Sequence, residues 1–482
     1  MIQSSHQGRF DPPGSDPLEE LSAEMVAFLA KRKPALASLV FSSPLSARTP
    51  DLSMVWHSGY RRLHRQKLVL QLLSNAVVAL GKGAARLAGA RPWGYCRYGQ
   101  TVDRILVLAS LCGQENGSRF QTEYVRTGPS DSLFVFGEYT SLGQARYRFS
   151  RPDLGAQVIT ALSLLWGGCE ASLFLRGPVG DRLILLLLWT EWVWSWRWLP
   201  MMQLEATLRT IVQKEGVKQI GCVHEMHAYA RIVWRVASAE SARSCTIQHA
   251  SVSRGKRWYF SYEVERQAGL RLPEVCFVFG VQAKDLLRPA LPGTRLVFGC
   301  SQRYARWRGQ VPDVDAKVGT VLLVGGLAAF DNEAVLGALK ILSEEKLPRR
   351  VFKLRLHPSA QLSRAQKRWI RKSVRTGTFE VSNSSLKEDL EVAALVIGMS
   401  TSVLEEALLL NRKVIQVIDD RYRTYIDIEG VPGVLRIHWT DMDNVPLTLP
   451  PSVETHRLFR ERLGLDKILV DYSRLFSAEH QL

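Results

Sequence analysis

Two α/β domains with parallel sheets, preceded by a helical extension, are what this sequence predicts, and three observations predict it. Short β-rich runs ending in glycine or a polar residue recur from residue 104 onward, each followed by helical sequence, which is the rhythm of strands joined by crossover helices. The rhythm breaks at 301–317 (SQRYARWRGQVPDVDAK) and restarts with greater regularity, so the chain divides there. At 482 residues the chain has the length for two or three domains, and 46% hydrophobic against 23% charged residues makes most of it globular.

Taken in order, residues 1–50 are rich in Pro, Ser and Gly, and the first twenty or so are expected to be disordered. Residues 51–95 read as basic and helical, which completes an N-terminal extension over 1–100. The first domain, 101–300, is expected to use RILVLASL (104–111), SLFVFGEY (132–139), QIGCVHE (219–225), CTIQHAS (245–251), VCFVFG (275–280) and RLVFG (295–299) as its strands with their exit loops. After the 301–317 linker, the second domain spans 318–450. Its strands are predicted in GTVLLVGGL, VFKLRLHP, ALVIGMSTS and KVIQVID. Its helices are predicted in DNEAVLGALKILSEE (with Asp331 as N-cap), LSRAQKRWIRKSV, SLKEDLEVA and VLEEALLL. Residues 451–482 are expected to form a C-terminal helix that packs back on the first domain. Both domains are therefore Rossmann-like, facing each other across a cleft at their strand ends.

Charge narrows the partners. The balance of 63 Lys+Arg against 46 Asp+Glu leaves +17, which points to an anionic partner: nucleic acid, an anionic membrane surface or a nucleotide-linked substrate. No RNP-like aromatic motif, zinc-finger spacing or long basic run supports nucleic acid. Cysteines at 96, 112, 169, 222, 245, 276 and 300 form no C-x-x-C, are odd in number, and several lie within apolar strand-like runs, so reduced thiols and a cytosolic compartment are expected. The N-terminus lacks a basic stretch followed by an apolar one, so no signal peptide is expected. Two apolar segments bear on membranes. LVLQLLSNAVVAL (68–80) is too short to span. LILLLLWTEWVWSWRWL (183–199) contains Glu191 and Arg197, and reads first as a buried helix and second as a segment touching the membrane interface. A soluble or peripheral protein is expected.

The chemistry lies at the second domain's strand ends. Ser400, Thr401 and Ser402 lead from a strand into VLEEALLL, where free backbone N–H groups and hydroxyls suit a phosphate. His357, read as ending the adjacent strand, would donate to the same phosphate, with Pro358 restricting the backbone that presents it. Gly325-Gly326 opens the first helix and allows close approach of a phosphate or sugar. Glu406, one turn into its helix, would accept from ribose hydroxyls. No metal is expected: no D-x-D of convincing context is present, and the DVD at 313–315 falls in the linker.

The stretch KLRLHPS … SLKEDLEVAALVIGMSTSVLEEALLLNRKVI resembles the donor domain of GT-B glycosyltransferases of bacterial surface-polysaccharide biosynthesis. The families nearest in style are polysialyltransferases, Kdo transferases of capsule and O-antigen (lipopolysaccharide) synthesis, and CDP-glycerol glycerophosphotransferases. The resemblance implies that His357, Pro358, Ser400, Thr401 and Ser402 hold the donor's phosphate, and Glu406-Ala407-Leu408 matches the usual E-A-L. The usual Gly-x-Pro is replaced by Asn411-Arg412-Lys413. In the first half, VHEMHAYARIVWRVA … TIQHASVS resembles the acceptor domain through Glu225, Gln248 and His249. There His227, Tyr229 and Ala230 depart from the pattern.

The resemblance further implies a metal-independent, inverting glycosyltransferase without a cofactor, cytoplasmic and peripheral on the inner membrane face. A nucleotide sugar, preferably CMP-linked, is the donor, and a surface polysaccharide or lipid-linked glycan is the acceptor. Glu225 is the first candidate for the general base and Glu138 the second, while His249 would bind donor or acceptor. The alternatives are a CDP-polyol phosphotransferase, with Arg355, Arg421 and Arg423 as a second phosphate cluster, and a non-catalytic nucleotide-sugar-binding assembly protein.

Overall fold

The computed structural model describes residues 17–33, 36, 94–98, 105–108, 110–111, 133–137, 145–148 and 154–463. Excepted from the last span are 195–197, 224–227, 249–250, 255, 257–265, 267–270, 300–303, 305–306, 308–318, 345–350, 359, 361, 421, 423, 432 and 446–452. The apolar 68–80 segment and the DVD at 313–315 lie outside the described residues.

A helical layer comes first. Helix α1 (Pro17–Arg32) begins inside the stretch expected to lack structure, because Leu21, Met25, Val26 and Leu29 supply a buried face. That face packs against a hairpin of α2 (Leu154–Phe174) and α3 (Val179–Trp194). The tryptophan-rich segment is interior: Trp189, Trp192 and Trp198 are buried, and the Trp189 indole donates to the Leu164 carbonyl at 2.8 Å. Gly168 permits this approach, since a Cβ there would collide with the Trp189 ring.

Among the described residues, five strands precede the hairpin: β1 (Gly94–Tyr98), β2 (Ile105–Leu108), β3 (Ser110–Leu111), β4 (Leu133–Gly137) and β5 (Ala145–Arg148). The 132–139 run does not join the parallel sheet expected for it. β4 pairs antiparallel with β1, from Gly94↔Gly137 to Tyr98↔Leu133, in a small sheet ordered β3-β4-β1-β5. Its partner β1 falls within 1–100, the stretch read from sequence as an N-terminal extension, and pairs with β4 on one side and β5 on the other.

The first parallel sheet is ordered β2-β6-β7-β8-β9, with β6 (Gln219–Val223), β7 (Arg243–Ile247), β8 (Val275–Phe279) and β9 (Arg295–Gly299). Its strands follow chain order. Helices α4 (Leu199–Glu215) and α5 (Ala228–Ala239) pack on it through Leu204, Leu208, Ile211, Val233 and Ala237, and α6 (Gly280–Leu287) follows β8 directly. β8 is buried at every residue, as a strand covered on both faces must be.

The second sheet is entirely parallel. Its elements run β10 (Thr320–Val324), α7 (Ala329–Glu344), β11 (Val351–Arg355), α8 (Arg364–Arg375), β12 (Glu380–Val381), α9 (Leu386–Val392), β13 (Leu395–Gly398), α10 (Val403–Leu409), β14 (Lys413–Ile418) and β15 (Val434–His438). The order β12-β11-β10-β13-β14-β15 places the first strand beside the second on one side and the fourth on the other. This is the doubly wound Rossmann order, and its reversal between β10 and β13 opens a crevice at their carboxyl ends. It also corrects an expectation: β11, which carries His357, is not adjacent to β13, because β10 lies between them.

Helix α11 (Val453–Arg462) touches both domains. Phe459 and Leu463 are buried with α10, while the Arg462 guanidinium donates to the Gln282 side chain and to the Asp427 carbonyl. Gly280, with φ of 78°, starts α6 beneath this helix, and a Cβ there would collide with the Arg462 carbonyl. Gly280→Ala is therefore expected to push α11 off the first domain and to cost on the order of 2 kcal/mol in urea unfolding, from positive φ and overlap together.

Candidate functional site

The crevice is built from the glycines outward. Past β10, Gly325 and Gly326 have no room for a side chain: a Cβ on Gly325 would meet the Asn332 amide, and one on Gly326 the Asp331 carboxylate. Both neighbours turn back from the first turn of α7 onto the loop. Asn332 Nδ2 donates to the carbonyls of Gly326 at 3.1 Å and Ala328 at 2.9 Å, which fixes the loop at the amino end of a 16-residue helix. The positive end of that helix dipole lies at the crevice.

Asp331 is not the N-cap. The helix starts at Ala329, so Asp331 is its third residue and reaches back to a backbone hydrogen bond with Ala328, as the third residue of a capping box does. Its carboxyl is buried, and Oδ1 has no hydrogen-bond partner among the described residues. Burial pushes the carboxyl from 3.8 up to about 7, against hydrogen bonds to Ser400 and Ala328 that pull it down. Asp331 thus joins the Gly-Gly loop to the loop after β13.

On that second loop, Ser400 Oγ also accepts the Tyr425 N–H at 3.0 Å, and the Tyr425 carbonyl accepts Ser253 Oγ from the first domain at 2.8 Å. Gln416, a buried amide inside β14, donates to the carbonyls of Met399 and Ile426, both at 3.1 Å, and so pins the loops on either side of Ser400 and Tyr425. Phe330 stacks on Tyr422 with centroids 4.8 Å apart and meets Tyr425 edge-on at 5.9 Å. Thr401 Oγ1 accepts the Val403 N–H at 3.3 Å, while Ser402 makes no capping hydrogen bond. α10 has only 7 residues, so the stronger helix end at this site is that of α7 at Gly325-Gly326.

His357 and Pro358 are exposed at the end of β11, where the His357 carbonyl accepts the Ala360 N–H at 2.8 Å and closes a turn. An open cleft of about 810 Å³ runs on this side, between Ala329 and Glu333 of α7 and Ala360, Leu362 and Gln366 near α8. His357 and Ser400–Ser402 therefore border the Gly-Gly loop from its two sides rather than standing on neighbouring strands.

Two other expected ligand residues have structural partners. Glu406, expected to meet a ribose, is fully buried, and its Oε2 accepts the Trp307 indole N–H at 3.0 Å. Gln248 is buried, with Oε1 accepting the Phe279 N–H at 2.7 Å, which ties the end of β7 to the end of β8. Arg355 NH1 lies 2.7 Å from Asp389, a carboxylate also paired with Lys353 at 2.6 Å. Glu225, Glu138, His249, Arg421 and Arg423 lie outside the described residues; in sequence, Glu225 follows the carboxyl end of β6 and His249 that of β7.

The carboxyl ends of the two sheets meet here. Glu405, buried beside Glu406, accepts Ser251 Oγ from the loop after β7 at 2.7 Å and the Tyr304 hydroxyl from the linker. Sequence reading missed Asn332, Gln416, Tyr425, Tyr304 and Trp307. Signals existed for some of them: a glutamine inside the apolar run KVIQVI, and two aromatic residues in a linker that otherwise lacks pattern.

No protein-family model matches the chain, and no curated protein sequence matches it either. Among solved structures, the chain is similar to the GtfA/B complex (12% identity, TM-score 0.38, 57% of this chain and 60% of that one), so it spans about three-fifths of that chain. It is similar to the Anabaena HepE protein in complex with UDP (9% identity, TM-score 0.44, 77% and 98%). It is also similar to the UDP-GlcNAc 2-epimerase of Neisseria meningitidis bound to UDP-GlcNAc (10% identity, TM-score 0.42, 75% and 99%).

Asp331 makes stability depend on pH. Folded, its carboxyl keeps a proton up to about pH 7, whereas unfolded it releases one near 3.8, so folding takes up a proton between those values. Its contribution is therefore full at low pH and falls as pH rises toward about 7, by about 1.4 kcal/mol per pH unit at most. In urea unfolding followed across that range, Asp331→Asn is expected to lose this downward slope; an unchanged slope would place the titration elsewhere.

Proposed function

We propose that the protein is a nucleotide-sugar-dependent GT-B glycosyltransferase that acts on a surface polysaccharide or a lipid-linked glycan. The observation that carries the reading is the meeting of Gly325-Gly326, Asp331 and Ser400 in the switch-point crevice of the second sheet, with the loop after β7 of the first sheet against it. Open α/β sheets bind nucleotides at this place, and each part has a task there.

The glycines let the donor's phosphate approach the backbone at the amino end of α7. Ser400 offers a hydroxyl. Asp331, protonated below about pH 7, donates to a phosphate oxygen; ionised, it repels one. His357 closes the rim from the other side of the Gly-Gly loop. In the transfer step the acceptor hydroxyl gives its proton to a carboxylate of the first domain, Glu225 or Glu138. Its oxygen bonds to the sugar's anomeric carbon as the bond to the donor phosphate breaks, and the anionic nucleotide is held by the α7 end and Ser400. Displacement from the opposite face inverts the anomeric centre. A CMP-linked sugar is the preferred donor because the His-Pro and Ser-Thr-Ser motifs resemble those of enzymes that use such donors, and no metal ion enters the scheme.

A polyol-phosphate transferase needs a second cationic cluster for the phosphorus it attacks. Arg355, one candidate for that cluster, is committed to Asp389 and to the Ser384 carbonyl at 2.8 Å, which weighs against this reading.

Calorimetric titration with CMP, CDP and UDP is expected to show CMP binding tightest. Ser400→Ala, by removing a hydroxyl, and Gly326→Ala, by driving a Cβ into the Asp331 carboxylate and displacing it, should each weaken it by about tenfold. Binding should tighten as pH falls below about 7, and Asp331→Asn should flatten that dependence. RNA binding with a steep salt slope and no response to nucleotides would sink the reading.

Turnover gives a separate test. Incubation with a panel of nucleotide sugars is expected to release CMP, undiminished by a metal chelator. Glu225→Ala is expected to lower kcat by about a hundredfold or more while leaving nucleotide affinity unchanged.

A further inference from the structure

Helix α2 breaks the rule for a surface helix. Its inner face, with Gln157, Ala161, Leu164 and Ala171, is buried against α1 and α3, so its outer face should be polar. Instead that face carries Ile159, Leu162, Trp166 and Leu173, which are 68%, 58%, 70% and 78% exposed. Their spacing of three, four and seven residues keeps them in one stripe along the helix. Phe174 and Val179, also exposed, extend the stripe over the turn into α3. Among the described residues of α2 the one charged side chain is Glu170, and it is paired with Arg32 at 2.9 Å.

The border of the stripe is cationic. α1 lies along α2, with Phe28 stacked on Phe174 at 5.4 Å, and ends in Lys31, Arg32 and Lys33; Arg176 is exposed in the turn. An apolar stripe with a central tryptophan and a basic margin matches the boundary between acyl chains and anionic headgroups.

We propose that this stripe docks the protein on an anionic lipid bilayer, with α2 lying in the interface plane. The docking surface is separate from the nucleotide crevice and is not the tryptophan-rich segment the sequence suggested, whose side chains fill the helical core. The packing argues against a transmembrane course. The Gly155–Phe174 stretch has the length and hydropathy to span, but crossing would carry the Arg32–Glu170 pair and the Asp181 and Arg182 start of α3 into hydrocarbon. A second copy of the chain fits less well, because the cationic margin of Lys31, Arg32, Lys33 and Arg176 would be set against its own like charges.

Flotation of the full-length protein with vesicles tests the proposal. Vesicles of phosphatidylcholine with phosphatidylglycerol should carry the protein, phosphatidylcholine alone much less, and added salt should release it. Ile159→Glu with Trp166→Glu should lower the bound fraction by about tenfold or more on both kinds of vesicle. Lys31→Glu with Arg176→Glu should remove only the preference for anionic lipid. All of these positions are exposed, so unfolding midpoints and CMP affinity should stay at the parental values. Absence of flotation, or equal flotation of the stripe variant, overturns the proposal. So does a concentration-dependent dimer, seen by sedimentation, that the stripe variant abolishes without any vesicle binding.

Discussion

Two neighbouring buried carboxylates, Glu405 and Glu406, hold the arrangement on which everything else depends. At the start of a short helix they point toward the first domain and the linker, where Ser251, Tyr304 and Trp307 donate to them. A buried carboxylate needs several donors, and only a closed approach of the linker and the loop after β7 supplies them. The same closure brings Ser253 to the Tyr425 carbonyl, and Tyr425 passes the constraint through its N–H to Ser400 and so to Asp331. The switch-point crevice is thus shaped from both domains, although its lining belongs to one.

Much of this was legible from the residues, and the illegible parts share a cause. Strand positions in the second domain followed from apolar runs with glycine or polar exits, and the placement of Gly325-Gly326 and Ser400–Ser402 at carboxyl ends followed from them. Strand order did not, since nothing in a single strand names its neighbour; hence His357 was set beside Ser400 when β10 lies between. Glu406 read as an open carboxylate because its partner Trp307 sits about a hundred residues upstream, in a stretch without periodicity. Asp331 was displaced by only a few positions, yet that shift turns a solvent-side cap into a buried acid. The tryptophan-rich segment is buried, in keeping with its first reading; its second reading, contact with the membrane interface, arose because composition records how apolar a helix is but not which of its faces is covered. Trp189 and Trp192 of α3 are inside, while α2, at least as apolar by composition, carries the exposed stripe.

The net charge of +17 is also distributed unevenly. Helix α8 alone presents Arg364, Lys367, Arg368, Arg371, Lys372 and Arg375, anchored by Ile370 and by Trp369 against Phe379 at 5.4 Å. Its first turn lines the open cleft on the His357 side, so a row of basic side chains begins at one side of the crevice.

The return of α11 has a mechanical consequence. The chain leaves the first domain through the linker and comes back to it at Gly280, so the two bodies are tethered at two places rather than one. Separating the two bodies would therefore cost more than stretching the linker: the donors to Glu405 and Glu406 and the α11 contacts at Gly280 and Gln282 would all have to be released.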